Sequence, residues 1–175
     1  RWRDTDYLSI RQEASACREV IPEFGRGGMP VRSRYNNGSL MVTGSLPPFA
    51  SIRSLSIAEG RFYNDEDDAA ARRVAFIGSD VRRQLFSGQP AVGETLHIAG
   101  VPYTVVGVMR EKGQNSSYDG KDVSKIFIPF HAVMRDFPQK PPGNPRDIDR
   151  LLVTPVSWEE HERCKFQVRR ALGRL

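Results

Sequence analysis

Arg73-Val74-Ala75-Phe76-Ile77-Gly78-Ser79-Asp80-Val81 decides how the rest of the chain is read. Val74 to Ile77 are wholly apolar, with no polar alternation, as in a strand buried on both faces. Gly78 ends the run, and Ser79 is placed to cap a helix carrying Val81, Leu85 and Phe86. A buried strand that turns straight into a helix predicts an α+β (mixed α/β) architecture.

Downstream, residues 95–109 read as a β-hairpin. Leu96 and Ile98 alternate with Thr95 and His97, Ala99-Gly100 makes the turn, and Tyr103 to Met109 return. Glu111 to Asp122 is polar and rich in Gly, Ser and Asn, which predicts a mobile loop. Ile126-Phe127-Ile128 is another strand, closed by Pro129. Pro138, Pro141, Pro142 and Pro145 mark a linker. Leu151 to Thr154 is a last strand, and Ser157 with Glu160 forms a capping box for a closing helix bearing His161, Cys164, Val168 and Leu172 on one face.

Upstream, Asn64 can cap a short helix whose acidic run Asp65 to Asp68 sits at its positive end. Pro47-Pro48 opens a short helix through Arg53. Asn36-Asn37-Gly38 is a hairpin turn, because Asn and Gly tolerate positive φ, and Leu40 to Thr43 is the returning strand. Cys17 to Tyr35 is extended. Before it, Asp4, Thr5 or Asp6 caps a helix with Tyr7, Ile10 and Ala14 at helical spacing. Both ends thus supply one helix and strand material. The expected division is one lobe from 1–45 and 148–175, and a self-contained, β-rich inserted lobe from 46–147.

The chain has 175 residues, 39% of them apolar, enough for a core. No run reaches the roughly 20 apolar residues of a membrane-spanning helix, and residues 1–16 are polar and charged. The expectation is a soluble chain without an export signal. The net charge is +5, but the basic residues are scattered among acids. Only Arg163, Lys165, Arg169, Arg170 and Arg174 form a basic face, read as a solvated helix near a membrane surface in preference to a nucleic-acid site. Trp2 and Trp158, near the two ends, suit either an interfacial position or ordinary packing.

No catalytic, cofactor-binding or metal-ligating set emerges. Gly25-Arg26-Gly27-Gly28 lacks the Lys-Ser/Thr of a phosphate loop. Gly78-Ser79-Asp80 lacks the second glycine of a nucleophile elbow, and nothing nominates a base for Ser79. Asp65 to Asp68 lacks the glycine and distant Glu of a calcium loop, so a capped helix start is preferred. His97, His131 and His161 are isolated. Cys17 and Cys164 are either two buried thiols or a disulfide; their separation excludes a CxxC motif.

One series in the middle of the chain has a familiar order and spacing. It comprises Leu55-Ser56-Ile57-Ala58-Glu59-Gly60-Arg61-Phe62, Asp65-Glu66-Asp67, Arg73 to Val81, Leu85-Phe86, Pro90-Ala91-Val92-Gly93-Glu94-Thr95-Leu96, Gly100 to Val108, and Ile126-Phe127-Ile128-Pro129. This resembles the MacB-like periplasmic core domain of ABC-transporter permases in the MacB/FtsX superfamily. The motif residues, Gly60, Arg61, Phe62, Gly78, Gly93, Gly100 and Gly107, are structural types and include no nucleophile or ligand. The resemblance implies a domain on the periplasmic side of the bacterial inner membrane, held between transmembrane helices of a permease, with the lobe from 1–45 and 148–175 membrane-proximal and the inserted lobe from 46–147 distal. It implies ATP hydrolysis in a separate cytoplasmic ATPase domain or subunit, a dimer in the full transporter, and movement relayed to substrate or a periplasmic adaptor protein. It implies no cofactor and no nucleic acid.

Two other classes compete. One is a free-standing periplasmic binding or assembly module. The other is a small basic nucleic-acid binder with the 95–109 hairpin in an OB-like barrel, which predicts exposed aromatics on that hairpin, where only Tyr103 is available. The permease reading further expects Arg1 and Leu175 side by side on one face, with Arg1, Arg3, Arg170 and Arg174 near lipid headgroups.

Overall fold

The computed structural model describes residues 2–3, 10–111, 120–138, 147–148 and 150–173. The element order is β1 (Trp2–Arg3), a helical turn α1 at 10–13, β2 (Cys17–Arg32), β3 (Asn37–Ser45), α2 (Phe49–Ile52), β4 (Ile57–Gly60), α3 (Asp65–Ala69), β5 (Val74–Ile77), α4 (Ser79–Phe86), β6 (Thr95–Ile98), β7 (Val101–Met109), a 3-10 turn (Gly120–Ser124), β8 (Lys125–Pro129), α5 (Phe130–Asp136), β9 (Asp147–Ile148), β10 (Arg150–Pro155) and α6 (His161–Gly173). The architecture is mixed α/β, as the sequence predicts. Among the described residues no helix is long and apolar enough to cross a membrane.

The chain separates into two compact units, Gly25–Phe137 and the pair of end segments Arg1–Phe24 with Pro138–Leu175. The insert, expected over 46–147, therefore covers 25–137. The reason is β3, which pairs in parallel with β8, Val42 opposite Ile126 and Gly44 opposite Ile128, and so joins the insert.

In Gly25–Phe137 the strand neighbours run β2-β3-β8-β5-β7-β4. β6 pairs with β7 and also with the end of β2, through Val31–Ile98 and Arg32–His97. These pairings close a ring of strands, which leaves fewer open edges than a flat sheet. The apolar run read as a two-faced strand is central: Ala75, Phe76 and Ile77 are fully buried. Phe76 lies 6.3 Å from Phe127, and Phe127 lies 5.5 Å from Phe49, ring centre to ring centre. α4 covers this core with Val81, Leu85 and Phe86, all fully buried.

Three local readings need correction. The turn after β2 is Ser33–Asn36, and Asn37-Gly38 already belong to β3. The Ser33 hydroxyl accepts from the Tyr35 and Asn36 amides, both at 3.1 Å, and its own amide donates to the Asn36 carbonyl. A serine side chain thus does what the Asn-Gly pair was expected to do. At α4 the cap residue is Gly78, without a side-chain cap bond, and Ser79 is the buried first residue of the helix. Pro129 does not merely close β8. Its φ of −58° serves as the N-cap of α5, a helix absent from the sequence reading.

The unit of both chain ends is smaller. β1 pairs antiparallel with β9, Trp2 opposite Ile148. β10 pairs antiparallel with the first half of β2, Val153 opposite Val20. Ile10 and Ala14 are buried, as their helical spacing predicts. The cap candidates Asp4, Thr5 and Asp6, with Tyr7, lie outside the described residues, as do Arg1 and Leu175, the loop at 112–119 and the prolines at 141, 142 and 145. Ser157–Glu160 forms a turn ahead of α6, which starts at His161.

Candidate functional site

Four of the motif residues, Gly60, Arg61, Phe62 and Gly107, come together where β4 meets β7. Gly60 has φ +70°, and a Cβ there would lie 2.0 Å from the Val106 carbonyl oxygen. Gly107 faces it: a Cβ would lie 2.1 Å from the Arg61 carbonyl oxygen. Each glycine lets the other's strand approach, so the pair works as one contact. The Arg61 amide donates to the Val106 carbonyl at 2.9 Å. Phe62 leans on Tyr63 and Phe76, at 4.0 and 5.1 Å between ring centres. Gly78 allows close approach of the Val123 carbonyl, Gly93 donates its amide to Val105, and Gly100 completes the β6–β7 turn with Ala99.

Around this contact, buried carboxylates tie elements together. Asp67 accepts from Arg61 at 2.7 Å, from Arg72 at 3.1 Å and from the Asn64 amide at 2.9 Å. The Asp67 amide donates in turn to Asn64 Oδ1, completing the capping box. Burial raises the Asp67 pKa, but the hydrogen bonds from Arg61, the Asn64 amide and Arg72 outweigh it, and the carboxyl sits below its ordinary range. Asp68 reaches across to α5, accepting from the His131 amide at 3.1 Å and lying 2.8 Å from the His131 ring nitrogen.

Asp136, at the end of α5, is held by Arg73 at 3.0 Å, by Arg135 at 2.9 Å and by the Tyr103 hydroxyl at 2.6 Å. Burial opposes its ionisation, yet the bonds from Arg73, Arg135 and Tyr103 hold it well below the usual carboxylate range. The Tyr103 phenol is pushed up, first by burial and then by the bond to Asp136. Tyr103 is therefore a buried brace between β7 and α5, which removes the exposed stacking aromatic that the nucleic-acid reading needs. Asp122 lies fully buried, where the sequence reading ended a polar loop. Arg53 grips both its oxygens, at 3.0 and 3.1 Å, and Lys125 adds a third bond at 3.1 Å.

These carboxylates face guanidinium, ammonium, imidazole and phenol groups, and among the described residues no cluster of three or more His, Cys, Asp or Glu side chains is suited to a metal. An open cleft of about 540 Å³ is lined by Arg32, Arg34, Glu94, Thr95 and His97, with Arg34 paired to Glu94 at 3.1 Å. In the end-built unit Cys17 and Cys164 form a disulfide, with Cα atoms 5.0 Å apart across a separation of 147 residues.

Among the described residues these bonds join one element to another. A model of the MacB-like periplasmic core domain matches residues 1–169. This chain belongs to the MacB-like periplasmic core domain family. The core domain is 31% identical over 130 residues to the macrolide export ATP-binding/permease protein MacB of Bdellovibrio bacteriovorus, covering 74% of this chain and 19% of that protein. It is 35% identical over 116 residues to the pyoverdine export ATP-binding/permease protein PvdT of Pseudomonas aeruginosa, covering 66% of this chain and 17% of that one. The chain thus spans about a fifth of these relatives. Its fold matches the extracellular domain of the noncanonic ABC-type transporter YknZ from Gram-positive bacteria, with a TM-score of 0.79 at 17% identity over 97% of this chain and 81% of that one. It also matches the periplasmic region of MacB from Actinobacillus actinomycetemcomitans, with a TM-score of 0.77 at 14% identity over 98% of this chain and 74% of that one. A core domain of this family is the periplasmic part of an ABC-transporter permease, which implies an extracytoplasmic location.

Proposed function

We propose that this core domain relays ATP-driven movement of a permease to a substrate or adaptor in the periplasm. One observation carries the reading: both end segments fold into one unit, joined by the Cys17–Cys164 bond, while Gly25–Phe137 forms a second unit with its own polar braces. A domain held between two transmembrane helices receives movement through its ends, and a stiff insert passes it on without dissipating it in local rearrangement. The reading assigns as partners the transmembrane helices of the parent permease, a cytoplasmic ATPase domain or subunit, a periplasmic adaptor and a second copy in a dimeric transporter. The chain itself binds and hydrolyses no ATP.

The insert can be excised, because the Arg26 guanidinium donates to the Phe137 carbonyl at 3.0 Å and so keeps entry and exit together. Residues 27–136 of the parent permease are replaced by a short Gly-Ser linker. The expected outcome is retained ATP hydrolysis with lost transport. Transport at the original rate would contradict the relay.

A further inference from the structure

α6 packs through one face only. Cys164 and Ala171 are buried, and the Gln167 side chain accepts from the Ala16 amide at 2.7 Å and donates to the Ser15 hydroxyl at 3.2 Å. On the other side, 162, 163, 166, 169 and 170 follow helical spacing and are all exposed. Phe166 stands in the middle of this stripe, 64% exposed, with Arg163 a turn before it and Arg169 and Arg170 a turn after it. Just ahead of the helix Trp158 is 84% exposed, its ring stacked on His161 at 5.7 Å. Two large aromatics, in and just ahead of α6, are thus left in water near the helix's cationic residues.

The charge along α6 is uneven. Acids sit only just before it and in its first turn, where Glu160 pairs with Arg163 and Glu162 with Lys165. From Arg163 onward the sequence holds no acid, and among the described residues Arg169 and Arg170 have no acidic partner. We infer that α6 and the preceding turn dock on an anionic lipid surface, Trp158 and Phe166 entering the headgroup layer and Arg163, Lys165, Arg169 and Arg170 meeting lipid phosphates. Protruding rings among cations on a convex helix suit a deformable, negatively charged plane. Trp in particular favours the interfacial layer, where its ring is buried and its N–H still finds a polar partner. The inference rests on the permease reading for its access to a bilayer.

The 175-residue chain is floated with phosphatidylcholine vesicles, with and without one third phosphatidylglycerol. Binding is expected only with phosphatidylglycerol and is weakened by salt. Arg169→Gln and Arg170→Gln should each cost about fivefold in partitioning, and Trp158→Ala with Phe166→Ala about tenfold or more. All four side chains are exposed, so thermal melts should match the parent chain. In a Trp2→Phe background, Trp158 fluorescence should shift blue on binding and be quenched by brominated lipid. Absence of binding to anionic vesicles at low salt overturns the inference. So does undiminished binding by the aromatic double variant, or equal affinity for heparin without lipid, which would make the surface a general polyanion site. The insert-excision assay reads transport in the parent permease, so either reading can fail while the other stands.

Discussion

In Gly25–Phe137, Asp68, Asp122 and Asp136 each bind partners on other elements, whereas the unit made from both chain ends carries its long tie as the Cys17–Cys164 bond. The insert distributes its stability over a ring of strands, a fully buried aromatic core and several polar braces. The end-built unit has a shorter pairing of β10 with β2 and one covalent staple. The contrast teaches that the two units should respond to different insults: the insert to acid and to cavity-forming changes, the end-built unit to reduction.

The largest effect is expected at the disulfide. Chain-entropy arguments give about 5 kcal/mol for a closed loop of this length. If the insert stays folded, its span no longer counts as flexible loop, roughly 35 residues remain, and the value falls to about 4 kcal/mol. Cys17→Ser with Cys164→Ser, followed by denaturant melts of both units, measures it. Loss of the insert's transition along with that of the end-built unit would break the comparison.

Gly60→Ala comes next. The positive φ and the approach of the Val106 carbonyl both oppose a methyl group, so about 3 kcal/mol of destabilisation is expected in the insert. Asp136→Asn should cost about 2 kcal/mol at neutral pH, since it removes charge-assisted bonds to Arg73 and Arg135 that are partly open to solvent. Because the folded Asp136 carboxyl titrates below its unfolded value, its contribution is fully present above about pH 4 and is lost as the pH falls further. The gap between parent and variant should close on acidification, and a gap independent of pH would remove the ionic explanation. Tyr103→Phe is the smallest, about 1 kcal/mol for a single hydrogen bond with the ring retained.

Local signals were legible in the sequence and long-range ones were not. β5 showed as a bare apolar run, and the β6–β7 turn as Ala99-Gly100, because each needs only neighbouring residues to state itself. Asn64 announced its cap for the same reason. The braces left no such trace: Arg53 and Asp122 are 69 residues apart, and Arg73 and Asp136 are 63 apart, so no spacing rule connects them. Asp122 read as loop because its burial depends on those distant partners. α5 was hidden by Pro129, which ends a strand and starts a helix with the same backbone angle. The Cys17–Cys164 pair was visible as a choice between two states, and the fold of both ends into one unit brings the sulfurs together.

Hydrogen exchange on the intact chain, before and after reduction, tests the division of stability most directly. The account predicts that amides of β5, β7 and β8 keep their protection when Cys17 and Cys164 are reduced, while those of β10, the first half of β2 and α6 exchange freely. Loss of protection in both units together would contradict it.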